Sequence, residues 1–231
     1  MLDKCVIIYL DDILVYSKNT EEHLQHLEQV FQILRKHQLY AKITKCDFLK
    51  KQVEFLGHVV SDKGLAVEPH KIEAIQQWPQ PTNIHELRSF LGLATYYRKF
   101  VQGFSKIATP LTNLLSKEKA YNWTQAQDDA FQQLKKALTS TPVLALPDPN
   151  LPFVVTTDAS DTAIGAVLSQ DQGNGDQPIA FESRKLSPAE LNYPICKKEL
   201  KTIIYALTVW HIYLKEWPFT VITNHASLEY L

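Results

Sequence analysis

Two β-branched apolar runs, Val6-Ile7-Ile8-Tyr9-Leu10 and Ile13-Leu14-Val15-Tyr16, are separated by two adjacent acids, Asp11 and Asp12. Runs rich in Val, Ile and Tyr read as strands, and two polar residues between them read as the turn of a tight hairpin. The pattern commits this part of the chain to antiparallel β structure with a charged tip. Two readings of the tip stay open. Asp is a common turn residue because its side chain bonds to nearby backbone. Alternatively, the tip holds a pair of hard divalent cations. Mg²⁺ takes oxygen ligands, and a two-metal site needs clustered carboxylates beside a transferring phosphoryl group.

The remaining pattern alternates helices and strands. Residues 20–38 form an amphipathic helix, with Thr20 as the expected cap and Glu21 and Glu22 at its positive end. Leu24, Leu27, Val30, Phe31 and Leu34 share its apolar face. His23 and His26 are three apart on it, a metal pair or, with no third ligand spaced nearby, surface histidines. Strands are expected at 39–43 and from Val53 to Val60, then a turn at Asp62-Lys63-Gly64 and a short helix at 69–77 opened by Pro69. Trp78-Pro79-Gln80-Pro81 breaks the pattern. Helices follow at 83–102, 105–116 and 124–138, the last capped by Thr124 with Ala130, Phe131, Leu134, Ala137 and Leu138 inward. Tyr97 and Phe100 read as core. The four prolines between Pro142 and Pro152 mark a boundary. Strands are expected at 153–157, 163–168, 178–183 and 219–223, with a long helix inside 188–214 and a further helix beginning at the end.

Composition narrows the class. At 231 residues and 45% hydrophobic, the chain can bury cores in one large or two to three small domains. The net charge of −1 gives no global signal for nucleic acid. Residues 1–150 carry 18 Lys/Arg against 16 Asp/Glu, and residues 151–231 carry 6 against 9. Within 84–117, Arg88, Arg98, Lys99, Lys106 and Lys117 face a single acid, Glu86. That segment can contact phosphates or be an ordinary solvated helix face. Three scattered cysteines form neither a disulfide framework nor a zinc cluster. No signal peptide is evident, and no run approaches the ~20 apolar residues that span a bilayer. An intracellular location, cytoplasmic or nuclear, is expected.

Tyr9-Leu10-Asp11-Asp12 with Ile13-Leu14-Val15-Tyr16-Ser17 resembles the polymerase motif of reverse transcriptases from Gypsy-type LTR retrotransposons. Four more blocks match that family in order: Phe55-Leu56-Gly57-His58-Val59-Val60; Phe90-Leu91-Gly92-Leu93 with Tyr96-Tyr97-Arg98-Lys99-Phe100; Thr157-Asp158-Ala159-Ser160; and Lys198-Glu199-Leu200. The resemblance covers essentially the whole chain. It implies an α+β fold: a partial reverse transcriptase palm (1–82), thumb-like helices (83–117), a connection segment (118–150), and an incomplete ribonuclease H-like α/β domain with a mixed sheet (151–231). It implies RNA-directed DNA polymerase and ribonuclease H chemistry with Mg²⁺, acting on a primer–template duplex or RNA–DNA hybrid, beside the remainder of a Pol polyprotein.

By the same resemblance, Asp11 and Asp12 are two of three palm aspartates, the third standing on an earlier strand. Leu2-Asp3-Lys4 resembles the lead-in to the hairpin, so Met1 is expected to be internal or a truncation point, and the isolated chain is expected not to polymerise. Phe55-Leu56-Gly57 takes the place of the primer grip; from the residues alone it reads equally as a buried strand edge with a Gly turn. Arg88, Gly92 and Tyr96, at i, i+4 and i+8, match the thumb face that tracks the minor groove. Gly within a helix is unfavourable by ~1 kcal/mol against Ala, which close approach of a ligand backbone or tight helix packing would each explain. Asp158 and Glu199 match two ribonuclease H acids, although Glu199 alone would pass for a solvated helix residue. A third acid belongs where this chain has Asn224, which keeps one oxygen but not the charge. The alternatives to an enzyme are a non-catalytic nucleic-acid-binding remnant and an inert relic.

Overall fold

The protein is represented by a computed structural model that describes residues 5–116 and 120–224. Leu2-Asp3-Lys4, Lys117 and the helix expected at the end of the chain lie outside the described residues. The chain divides into two compact units, residues 1–62 and 63–231.

In the first unit, β1 (Val6–Tyr9) and β2 (Asp12–Val15) pair antiparallel from Tyr9↔Asp12 to Val6↔Val15. A bond from Tyr16 N–H to the Cys5 carbonyl, 3.0 Å, extends the ladder. The turn is Leu10-Asp11, not Asp11-Asp12: Asp12 already belongs to β2, and Leu10 takes a left-handed φ of 55°. Helix α1 (Thr20–Lys36) is capped by Asn19 rather than Thr20. Asn19 is extended, so its side-chain oxygen accepts from Glu22 N–H at 2.9 Å, whereas Thr20 is already helical. The expected strand at 39–43 is absent. Leu39, Tyr40 and Ile43 are exposed, and Ile43–Lys45 forms one 3₁₀ turn. The expected strand from Val53 to Val60 is a hairpin, β3 (Gln52–Phe55) and β4 (His58–Ser61). Its two-residue turn has Leu56 and Gly57 both at positive φ, as a primed hairpin turn requires. The apolar stripe of α1 is only partly covered: Leu24 and Phe31 are exposed, Leu27, Val30 and Leu34 are half-buried, and no residue of the helix is fully buried.

The second unit opens with β5 (Gly64–Val67), where Leu65 and Leu144 exchange two backbone bonds of 2.8 Å. Gly64 has φ 125°, and a Cβ there would overlap the Leu144 carbonyl oxygen, so no side chain fits. Then come α2 (Pro69–Gln76), α3 (Ile84–Tyr96), a 3₁₀ turn at Arg98–Phe100, α4 (Phe104–Asn113) and α5 (Gln125–Thr139). The helix expected over 83–102 therefore stops at Tyr96. The chain tightens there and directs both Tyr97 and Phe100 inward, each 1% exposed. Their neighbours Ile75, Leu87, Leu111, Leu134 and Leu138 are fully buried, and the Phe90 and Phe131 rings meet at 4.7 Å.

Strands β6 (Phe153–Ala159), β7 (Ala163–Asp171), β8 (Asp176–Lys185) and β9 (Phe219–Thr223) form one mixed sheet in the order β8-β7-β6-β9. Only β6 and β9 pair parallel. The long helix expected within 188–214 is broken into α6 (Pro188–Leu191), α7 (Ile195–Val209) and α8 (His211–Leu214). Pro194 stands as the N-cap of α7, where a missing N–H does no harm. Phe153, Val155, Ala166, Leu168, Ala206, Trp210 and Leu214 make this sheet's own core. The helices are strapped to strand β8. Ser105 N–H donates to Ser183 Oγ at 2.9 Å, and Ser105 Oγ donates to the Ser183 carbonyl at 2.7 Å. No helix among the described residues is long and apolar enough to cross a membrane.

Candidate functional site

Alternation along β6 buries Phe153, Val155 and Thr157 and leaves Asp158 exposed. The parallel register sets Thr157 beside Thr223, so the next residues along, Asp158 and Asn224, follow on adjacent strands at the same sheet end. Glu199 reaches that end from α7. It is 4% exposed, and its Oε1 accepts from Ala159 N–H at 3.2 Å. The sheet and α7 therefore bring Asp158, Glu199 and Asn224 to one place. Glu199 is not a solvated helix residue, the reading its local sequence invites, because α7 lies against β6 and β7 and turns that face inward. Among the described residues, no trio of acid, His or Cys ligand atoms includes Asp158 or Glu199. The residues present fit a divalent cation in kind, as oxygen donors, with two carboxylates and one neutral amide.

Lys198, beside Glu199, is also buried, and its ammonium donates to the Asp161 carbonyl at 3.2 Å. This ties α7 to the loop that follows Asp158. A second anchor is Arg184–Glu190, bidentate with two bonds of 2.8 Å. The Arg184 hydrogen bonds hold the Glu190 carboxyl far below the usual carboxylate range, helped by the Ser187 N–H. Ser187 and Glu190 form a capping box, legible in the sequence as Ser-x-x-Glu. Buried Glu182 accepts from Tyr205 Oη at 3.0 Å and pairs with Arg98 at 3.2 Å. Burial, then the Glu182 charge, pushes the Tyr205 phenol up to about 12. Nothing in the local sequence announces Lys198, Glu182 or Ser183 as connectors, because each partner is far along the chain.

On α3, Arg88, Gly92 and Tyr96 lie on one exposed face. A Cβ at Gly92 would meet nothing within 4 Å, so packing inside this structure does not explain the glycine. The basic segment is smaller than its count suggests. Arg98 is committed to Glu182, and Lys99 lies 5.5 Å over the Phe100 ring, with burial drawing its ammonium down. Arg88 and Lys106 remain exposed. In the first unit, Asp11 and Asp12 are adjacent and exposed at the β1–β2 tip, and Leu56-Gly57 is the β3–β4 turn next to Phe55.

A mixed sheet with Asp158 at the end of its parallel pair and Glu199 reaching that end from α7, preceded by a two-acid hairpin, makes this an α+β chain with a pair of carboxylates in each unit. Residues 1–60 match the family described as reverse transcriptase (RNA-dependent DNA polymerase), and residues 123–221 match the RNase H-like domain found in reverse transcriptase. The retrovirus-related Pol polyprotein from transposon 297 of Drosophila melanogaster is 42% identical over the whole chain, and the transposon Tf2-3 polyprotein of Schizosaccharomyces pombe is 41% identical over 96% of it. The chain spans 22% and 17% of those two polyproteins. Foamy viral protease-reverse transcriptase in complex with double-stranded DNA superposes with a TM-score of 0.86 at 29% identity, covering 95% of this chain and 39% of that one. The same viral protein in complex with RNA/DNA hybrid superposes with a TM-score of 0.84 at 28% identity, covering 95% and 30%. The chain belongs to the reverse transcriptase and ribonuclease H-like region of LTR-retrotransposon Pol polyproteins.

Proposed function

We propose that this chain is the duplex-handling part of a retroelement polymerase. It grips a primer–template or RNA–DNA hybrid and contributes carboxylates to two-metal phosphoryl transfer by the larger protein. Residues 1–82 act as the end of the palm, 83–117 as a thumb, 118–150 as a connection and 151–231 as the ribonuclease H-like domain. The observation that carries the reading is the convergence of Asp158, Glu199 and Asn224 at one end of the β6–β9 pair. The viral relatives' complexes with double-stranded DNA and RNA/DNA hybrid support the duplex as partner. Arg88, Gly92 and Tyr96 face the minor groove, with Gly92 admitting the backbone. Phe55, Leu56 and Gly57 bear on the primer end. The remainder of a Pol polyprotein covers the apolar stripe of α1.

In the ribonuclease H-like site, Asp158 and Glu199 would hold Mg²⁺, which when bound supplies an activated water and neutralises phosphate charge. Asp158 is exposed and free to move onto a cation. Glu199 is held in place by the Ala159 N–H. Asn224 offers one oxygen and no charge, so two dipositive ions are poorly compensated and cleavage by the isolated chain is weak or absent. At the palm tip, Asp11 and Asp12 would hold the corresponding pair of cations for nucleotide addition. The test is cleavage of a labelled RNA–DNA hybrid with Mg²⁺ and with Mn²⁺, using the parent, Asn224→Asp and Asp158→Asn. Gain of cleavage in Asn224→Asp, lost again on adding Asp158→Asn, supports the reading. Strong cleavage by the parent that survives Asp158→Asn contradicts it. Duplex binding without cleavage in any variant favours the non-catalytic remnant, which the uncompensated Asn224 also suits.

A further inference from the structure

Ser17 is the first residue beyond the β1–β2 ladder, and the chain enters α1 only three residues later. Its Oγ lies 2.7 Å from His26 Nδ1 and 3.1 Å from His23 Nδ1, and all three residues are half-buried. The two histidines, spaced as a metal pair or as surface residues, thus have a third group that their spacing does not reveal.

A hydroxyl carries one proton, and a neutral imidazole one N–H. With both rings neutral, Ser17 donates to one ring and accepts Nδ1–H from the other. Hydroxyl donors make the shorter bonds and N–H donors the longer ones, about 2.7–2.8 Å against 2.9–3.0 Å where oxygen accepts, so the shorter contact, to His26, fits the hydroxyl as donor. In that arrangement Ser17 donates to His26, which keeps its proton on Nε2, and His23 donates its Nδ1–H to Ser17. The two rings hold opposite tautomers.

We propose that His23, Ser17 and His26 form a latch of fixed proton order that fastens the end of β2 to the first two turns of α1. It thereby sets the angle at which the Asp11-Asp12 tip stands on the helix. Apolar packing is thin here, since no residue of α1 is fully buried and Leu27, Val30 and Leu34 are only half-buried. Directional bonds add the fixed geometry that such packing lacks. All three are positioning residues, and the latch stands whatever the tip binds.

The test uses the ¹⁵N-labelled full chain, with imidazole nitrogen spectra recorded well above the ordinary histidine range. His23 is expected as the Nδ1–H form and His26 as the Nε2–H form. Ser17→Ala returns His23 to the Nε2–H form favoured by free imidazole, and Ser17→Thr, which keeps the hydroxyl, restores the native pattern. Backbone residual dipolar couplings of β2 and α1 fit one shared orientation in the parent and in Ser17→Thr, but two in Ser17→Ala. One tautomer shared by both rings in the parent overturns the proton order. Unchanged couplings in Ser17→Ala overturn the positioning role. The parent spectrum alone decides the first point, even where a variant fails to fold.

Discussion

The two units use their apolar residues in opposite ways. In the first, only Cys5, Val6, His58 and Val59 are buried among the described residues, while Leu24, Phe31, Leu39, Tyr40 and Ile43 are exposed. In the second, two clusters bury aromatic and aliphatic side chains from every helix longer than a turn and from the sheet. Caps, turns and ladders build the elements of both. Burial, the dominant favourable term in folding, holds only the second together by itself. The difference extends to the candidate sites. The acids of the first unit stand at an exposed hairpin tip on a left-handed leucine, a conformation that costs about 1–2 kcal/mol for an L-residue. Those of the second meet a sheet end backed by a core, Asp158 from β6 and Glu199 from α7.

The largest expected contrast is between matched leucines. Leu134→Ala, in the helical core, should cost about 2–5 kcal/mol of stability. Leu24→Ala on the exposed stripe of α1 should stay within about 0.5 kcal/mol. Denaturant unfolding of the two variants measures both, and equal losses would break the comparison.

Acid titration sharpens it next. The Glu190 carboxyl is held below its unfolded value by Arg184, so its contribution is present above the ordinary carboxylate range and lost as the pH falls through that range and below. Glu190→Gln should lower stability at neutral pH and flatten the acid limb of the second unit. An unaltered acid limb would remove the Arg184–Glu190 clamp from the account.

In alkali the sign reverses. Tyr205 and Tyr97 are pushed up to about 12, so they stay protonated in the folded chain where the unfolded chain ionises. The stability they contribute is full below about pH 10 and falls as the pH rises from there towards 12. Absorbance titration should find Tyr97 and Tyr205 among the late phenols, beside Tyr121, which burial also raises, with one late phenol lost in Tyr205→Phe. Ten phenols titrating together would contradict this.

The smallest effect is the most discriminating. Gly92→Ala should stabilise α3 by about 1 kcal/mol, because its Cβ meets open space. The same change should weaken duplex binding if the glycine admits a nucleic-acid backbone. A destabilised helix with binding intact would return Gly92 to packing.

Local chemistry explains what could be read from the sequence. The strands at 153–157, 163–168, 178–183 and 219–223, the Pro69 start and the Thr124 cap all depend on neighbours a few residues apart, and all appear. The misreadings share a cause. Leu39 to Ile43 has strand composition but no strand partner among the described residues, and Thr20 lost the cap to the extended Asn19 beside it. At the site, Asp158 and Glu199 were legible only through family resemblance. Their convergence depends on the β6–β9 register and on α7 packing, which join residues 40 and more positions apart. The five basic residues of the 84–117 segment overstated the exposed charge, because Arg98 has a distant partner in Glu182.

Native-state hydrogen exchange on the full chain tests the central contrast most directly. The amides of α1 and of the β1–β2 and β3–β4 ladders should exchange through openings of low free energy, while β6, β7 and α5 exchange only near the global unfolding limit. Protection of α1 equal to that of β6 and β7 would contradict the account, for it would mean that the first unit is held by a core of its own.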